Sequence, residues 1–228
     1  MARVALSSAI TAALAAALLF GASTPLAKQL LRDTSPMLLA GLLYLGSGIG
    51  LSAGRLLRDR GWRTPALAPA EWLWLLLAIL FGGVLGPLLL MLGLARTPAA
   101  AASLLLNLEA VLTALLAWIV FRENTDRRVV LGMALIVAGA AVLAGRGESL
   151  ASGIGWGAPL IGLACLCWAV DNNLTRKVSA SDAVFLAASK GLAAGGVNTG
   201  LALLVGERLP GPAGIAEAMA VGARARFE

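Results

Sequence analysis

Histidine is absent from this sequence, and only 13% of its residues are charged. Without histidine the chain has no Ser-His or Cys-His catalytic pair, no HExxH metal motif and no His-ligated haem. Cys165 and Cys167 are its only cysteines. Two positions apart in an apolar helix, they point in different directions, which favours core packing over a zinc site or a disulfide. We therefore expect no metal and no cofactor.

The scarcity of charge also excludes an ordinary soluble domain, in which about 25% of residues are charged. Here 59% of residues are apolar. The net charge of +6 comes from basic residues at the ends of apolar segments rather than from one basic patch. This distribution is typical of membrane orientation and not of nucleic-acid binding. The sequence predicts a polytopic all-α protein whose surroundings are a lipid bilayer.

Apolar windows of about 20 residues predict seven membrane-spanning helices and the start of an eighth near residue 213. The seven lie near 5–26, 36–57, 72–94, 99–121, 129–145, 154–174 and 184–206. The first is interpreted as a retained helix rather than a signal peptide, because its long apolar run continues through Pro25 into a charged loop.

The distribution of lysine and arginine sets the expected orientation. With the N-terminus in the cytoplasm, the inside segments carry about twice as many of these residues as the outside loops, as the positive-inside rule requires. Trp62, Trp72 and Trp74 flank the second cytoplasmic loop, where aromatic anchors are common. We expect a multi-pass protein of the inner (plasma) membrane.

A weak internal repeat appears when the sequence is shifted by 148 residues. Phe20–Lys28 then lies over Trp168–Arg176, and both copies continue as an apolar helix, a cationic loop and a glycine-rich helix. Five predicted spans, an odd number, precede the second copy, so the two copies have opposite orientations. Inverted repeats of this kind are typical of secondary transporters.

Glycines predict matching packing faces in the two copies. They are frequent in the second and seventh spans, where small residues four apart let helices approach closely. The glycines concerned are Gly46, Gly50, Gly54, Gly191, Gly195, Gly196 and Gly200.

Two complete copies would be longer than the 228 residues of this chain. We therefore divide it into a first five-helix repeat, 1–148, and an incomplete second repeat, 149–228, with two to three helices. A truncated or frameshifted chain is the resulting expectation.

Several motifs resemble the EamA type of the drug/metabolite transporter superfamily. They are GPLLLMLGLARTPAA (86–100), SLLLNLEAVLTALLAW (103–118), FRE (121–123) and GMALIVAGA (132–140). The resemblance implies ten helices in two inverted five-helix repeats, and export or import of small solutes. In the family pattern the Glu of the fourth helix is commonly followed by proline. Here Ala110 stands in that place, which implies a straighter helix beside Glu109.

Glu109 is the leading candidate site residue, because a charge at the centre of a membrane helix costs roughly 2.5–3.5 kcal/mol on insertion scales. Asn107 and Thr113 are its polar neighbours, and Thr113 shares its helix face. A carboxyl group there could bind a proton or a cationic solute. The alternative is a structural glutamate bonded to a neighbouring helix.

A second candidate set lies in the sixth and seventh spans. Lys190 could pair with Asp171 or Glu109, could bind an anionic solute group beside Asp171 and Asn172, or could extend to the cytoplasmic interface. Pro87, in the middle of the third span, frees backbone carbonyls that line a cavity, or it simply bends the helix.

The function predicted from these features is secondary transport of a small metabolite or drug-like solute, proton-coupled or facilitative. The alternative is a truncated, non-transporting membrane fragment that needs a partner. An intramembrane enzyme is least favoured, because the chain lacks histidine and a GxGD motif. The sequence leaves a homodimer open, since its glycine faces would serve contacts within one chain equally well.

Overall fold

The computed structural model describes residues 18, 22–59, 67–122, 124, 126–145, 156–178 and 182–224. Within these ranges every regular element is a helix, which confirms the all-α class. Most of the predicted first span lies outside the described residues; its end forms α1 (22–30). The other helices are α2 (Pro36–Asp59), α3 (Pro69–Ala78), α4 (Gly86–Ala95), α5 (Ala99–Leu105), α6 (Leu108–Ile119), α7 (Arg127–Gly145), α8 (Gly157–Thr175), α9 (Ala183–Leu204) and α10 (Pro212–Arg224).

Three helical segments of the described chain are long and apolar enough to cross a membrane by composition alone. They are Pro36–Asp59, Pro69–Ala95 and Ala99–Ile119. The second joins α3 to α4 through a π-helical turn, Ile79–Leu85, and the third contains α5 and α6. Helices α8 and α9 are less apolar than these three segments, because they contain polar residues such as Asp171 and Lys190.

Helices α2 and α9 pack against each other antiparallel through glycines. A Cβ built on Gly191 would lie 2.7 Å from the Cα of Gly48, and one built on Gly195 would lie 2.5 Å from the backbone nitrogen of Leu45. Backbones approach this closely only where side chains are missing. Of the glycines expected to form packing faces, Gly191 and Gly195 thus bring α9 against α2.

Three of the predicted glycines have other surroundings. Gly46 lies against Met219 of α10, not against α9. Among the described residues, a Cβ on Gly196 or Gly200 would meet no atom within 4 Å, so the packing face predicted for these two glycines has no partner there. The reason is that Gly191 and Gly195 lie on the face of α9 that contacts α2, whereas Gly196 and Gly200 lie on another face of the same helix.

Side chains join the two ends of the α2–α9 contact. Asp182 caps α9 by accepting hydrogen bonds from the N–H groups of its first turn, and its other oxygen lies 3.2 Å from Nη1 of Arg55. The buried Arg55 guanidinium also lies 5.3 Å from the centre of the Phe185 ring. At the opposite end, Ser35 donates a hydrogen bond to Glu207. The two helices are therefore tied at both ends.

The apolar core lies between α2, α4 and α8. Leu38, Leu39, Leu94 and Ile161 are completely buried there. This core holds the third span and α8 in fixed register, and both carry candidate site residues.

Candidate functional site

The third span changes its hydrogen bonding near the middle of its length. In the π-helical turn Ile79–Leu85, the N–H of Gly86 donates to the carbonyl of Phe81, five residues earlier. Pro87 follows and has no N–H. It therefore cannot bond to Gly82, its partner in a π pattern, or to Gly83, its partner in an α pattern. Pro87 thus leaves these two carbonyls without a partner in the helix.

Side chains from three other helices bind these two carbonyls. The Tyr44 hydroxyl of α2 donates to the Gly82 oxygen at 2.8 Å, and the Trp168 indole N–H of α8 donates to the same oxygen at 2.9 Å. The Asn198 amide of α9 donates to the Gly83 oxygen at 3.1 Å. The turn is thus a junction of four helical segments, and its polar backbone atoms are satisfied away from water.

A charge pair lies next to this junction. The Lys190 ammonium nitrogen is 2.5 and 2.6 Å from the two carboxylate oxygens of Asp171, and 3.3 Å from the Thr175 hydroxyl. Asp171 is 6% exposed and Lys190 9% exposed. Of the alternatives open for Lys190, the structure has the pair with Asp171. An extension to the cytoplasmic interface is wrong, because α8 and α9 both pack against the π-helical turn, which brings the Asp171 carboxylate within reach of Lys190 inside the bundle.

Gly82 closes the charge pair from the third span. A Cβ built on Gly82 would overlap the Asp171 carboxylate. The absence of a side chain at this position therefore lets the third span cover the ions. The π-helical turn and the charge pair form one packed unit.

The helix that carries Glu109 is interrupted immediately before it. Helix α5 ends at Leu105 and α6 begins at Leu108. The Asn107 side-chain amide donates to the carbonyls of Ser103 and Leu104 at 3.1 Å each, and the N–H of Glu109 donates only three residues back, to Leu106. The expectation of a straighter helix beside Glu109 is therefore wrong. The side chain of Asn107 competes for helix carbonyls and breaks the helix without a proline.

Glu109 meets α8 across a cleft. Asn172 donates one hydrogen bond to Oε1 of Glu109 at 2.9 Å and one to the Thr113 hydroxyl at 3.3 Å. Asn107 and Arg176 line the same open cleft, which has a volume of about 550 Å³. Four of the predicted site residues, Asn107, Glu109, Thr113 and Asn172, thus come together at one place.

The predicted site residues consequently lie in three places. Asp171 and Asn172 are adjacent on α8, but Asp171 contacts α9 and Asn172 contacts α6. Pro87 lies at the π-helical junction. Among the described residues, no cluster of His, Cys, Asp and Glu side chains could hold a metal ion.

Sequence reasoning missed Tyr44, Trp168 and Asn198. A signal was present, because a tyrosine hydroxyl, an indole N–H or an amide in an apolar span needs a hydrogen-bond partner. Tyr44 is also the chain's only tyrosine. What the sequence did not reveal is that all three side chains converge on the same turn.

The sequence matches the EamA-like transporter family over residues 7–145, more than half of the chain. The chain belongs to this family. An uncharacterized transporter of Methanothermobacter thermautotrophicus is 30% identical over 205 residues, which are 84% of this chain and 60% of that protein. The chain therefore spans less than two thirds of that relative's length.

A second relative matches a shorter segment. It is a probable 4-amino-4-deoxy-L-arabinose-phosphoundecaprenol flippase subunit, ArnE, of Pseudomonas aeruginosa, 39% identical over 115 residues. The match covers 48% of this chain and 96% of the ArnE protein. A solved crystal structure, 23% identical, superposes with a TM-score of 0.69 over 96% of this chain and 76% of that one. This last likeness supports the fold alone.

These comparisons confirm the EamA resemblance drawn from the motifs. The family is one of membrane transporters, and the relatives are named as a transporter and as a flippase subunit. This EamA family member is accordingly a multi-pass membrane protein, with a lipid bilayer as its environment.

Proposed function

We propose that this EamA family member is a secondary transporter that moves a small solute across the inner (plasma) membrane, with its N-terminus in the cytoplasm. Family membership and the relatives' names support membrane transport. The observation that carries the proposal is the cleft in which Glu109 faces Asn172. A carboxylate inside an apolar bundle is costly, and such residues commonly mark the path of an ion or a solute.

The geometry of the cleft suits reversible binding at Glu109. Asn172 is hydrogen-bonded to both Glu109 and Thr113. When the Glu109 carboxylate takes up a proton or a cationic group of a solute, the Asn172 amide keeps the Thr113 hydroxyl as an acceptor. The N–H that Glu109 releases is exposed in the open cleft, where water can accept its hydrogen bond, so the change at Glu109 leaves no buried donor unsatisfied. A volume of about 550 Å³ is of the size that holds small-molecule ligands.

We also propose that the chain is built from two inverted repeats, 1–148 and an incomplete 149–228. The antiparallel contact of α2 with α9 supports this division. So does a pair of matching contacts: Gly46 of α2 lies against Met219 of α10, and Ala194, 148 positions after Gly46, lies against Gly83 of the third span. Each glycine-rich helix thus packs on the third helix of the other repeat.

A second candidate function is that of a subunit which acts with another membrane protein. The observation that favours it is the match to nearly the whole length of a relative named as a flippase subunit. In that case the polar cleft at α6 would be completed by the partner, and the chain alone would move no solute.

Proteoliposomes with an internal pH-sensitive dye test the role of Glu109. Solutes from a panel of metabolites and drugs are added to vesicles that contain the full chain, and proton movement is recorded. We expect Glu109→Gln to abolish solute-dependent proton movement without changing thermal stability. Glu71→Gln is the matched control, since Glu71 is a partly exposed residue outside the cleft that accepts a hydrogen bond from the backbone of Ala68.

Two outcomes decide between the candidates. Proton movement by Glu109→Gln at the wild-type rate would remove the coupling role. A wild-type chain that is inert alone, but becomes active when co-reconstituted with a membrane protein that co-purifies with it, would establish the subunit function.

A further inference from the structure

A separate cavity lies between α1, α2, α4, α8 and α10. Its volume is about 140 Å³, and no charged side chain is among the described residues that line it. Its polar lining includes Ser47, and its walls include Tyr44, Trp168 and Pro87. Neither Glu109 nor the Lys190–Asp171 pair contributes to it.

The aromatic wall of the cavity is fixed in place. Tyr44 and Trp168 both use their polar atoms to bind the carbonyl of Gly82, at 2.8 and 2.9 Å. Their rings therefore offer the cavity apolar surface. Because the π-helical turn holds both side chains, this surface does not have to be ordered when a ligand enters.

Ser47 supplies a buried polar group without a partner. Its side chain is 2% exposed, and its hydroxyl makes no hydrogen bond with the described residues. Ser52, five positions later on the same helix, instead donates to the carbonyl of Gly48 at 2.6 Å, as helical serines commonly do. Buried hydroxyl groups are nearly always hydrogen-bonded. The unsatisfied hydroxyl of Ser47 in a cavity wall therefore points to a partner inside the cavity.

We propose that this cavity binds a neutral, largely apolar molecule, about the size of benzene, whose single hydrogen-bonding group meets Ser47. A cavity of about 150 Å³ is known to hold benzene, so the volume is adequate. A charged ligand is excluded, because the lining offers no counter-charge to offset its desolvation. The statement that such a molecule is transported rests on the proposed function, whereas its binding does not.

Fluorine NMR on the full chain in lipid nanodiscs tests the proposal with three probes: 4-fluorophenol, fluorobenzene and 4-fluorobenzoate. Empty nanodiscs give the partition into lipid, which is subtracted. We expect 4-fluorophenol to bind about five to ten times more tightly than fluorobenzene, as one hydrogen bond warrants. We expect no saturable binding of 4-fluorobenzoate.

Variants assign the preference to Ser47. Ser47→Ala should reduce the advantage of 4-fluorophenol over fluorobenzene to less than about twofold, and Ser47→Thr should keep it, since it retains the hydroxyl. Ser52→Ala is the matched control and should behave like the wild type. Equal binding of the two neutral probes by the wild type, an unchanged preference in Ser47→Ala, or saturable benzoate binding would each overturn the proposal.

The result is independent of the transport assay. Loss of Glu109-dependent proton movement would leave the binding measured here unchanged. Conversely, failure of the probes to bind would leave the proposed role of Glu109 intact.

Discussion

Two neighbouring residues of α8 serve different polar regions of the same apolar bundle. Asp171 is 6% exposed and bound on both oxygens by Lys190, and Gly82 covers it. Asn172 is exposed in an open cleft and bonds Glu109. The first region is complete within the chain, whereas the second has room for another molecule. The buried Lys190–Asp171 pair is therefore suited to a structural role, and the Glu109 carboxylate in the cleft is suited to a functional one.

This difference follows from the cost of moving charge into an apolar medium. A buried pair with good geometry offsets its own desolvation, but each ion becomes a large liability when the other is removed. Glu109 is bonded to a neutral amide and faces an open cleft, so its charge can change where water has access. Stability measurements on single and double variants distinguish the buried Lys190–Asp171 pair from Glu109.

The largest effect is expected from breaking the sealed pair. Lys190→Met leaves the Asp171 carboxylate buried without its cation and should destabilise the protein by about 3–5 kcal/mol. The double variant Lys190→Met/Asp171→Asn removes both charges and should recover most of that loss. Unfolding of the purified protein in detergent, followed by circular dichroism, measures both.

Two outcomes would contradict this interpretation of the sealed pair. A stable Lys190→Met variant that loses transport would make Lys190 a solute-binding residue. A double variant as unstable as the single one would show that the pair does more than neutralise charge.

A smaller effect is expected from Gly82→Ala, which forces a methyl group into the space of the Asp171 carboxylate. Overpacking of this kind costs about 1–3 kcal/mol. Gly132→Ala on α7 is the control, because a Cβ there meets no atom within 4 Å and alanine favours the helix. The same unfolding assay applies. Equal stability of the two variants would mean that the third span does not seal the charge pair.

The sequence was sufficient for features that depend on local pattern. Apolar length predicted the helices, and the glycines of the second and seventh spans predicted surfaces of close helix packing, because close approach needs only missing side chains. The cost of charge in an apolar helix singled out Glu109 and Lys190. None of these features depends on which residue of another helix a side chain contacts.

The remaining features depend on contacts between distant residues. Tyr44, Trp168 and Asn198 come from three helices and meet only because the third span changes its hydrogen bonding at Gly82. The break before Glu109 arises from competition by Asn107, where the missing proline had suggested a straight helix. Such outcomes are decided by small differences between alternative hydrogen bonds, which a pattern of residue types does not rank.

The smallest effect on stability is expected in the open cleft. Asn172→Ala removes hydrogen bonds to Glu109 and Thr113, and at this exposed position it should cost only about 0.5–1.5 kcal/mol, because water can replace the lost partner. The same substitution should nevertheless impair Glu109-dependent proton movement in proteoliposomes, since Asn172 positions the carboxylate. Asn172→Asp is the informative companion, because it places a second negative charge beside Glu109. If Asn172→Ala proves as destabilising as Lys190→Met, the cleft is a closed structural contact like the Lys190–Asp171 pair, and the distinction between the two regions of α8 fails.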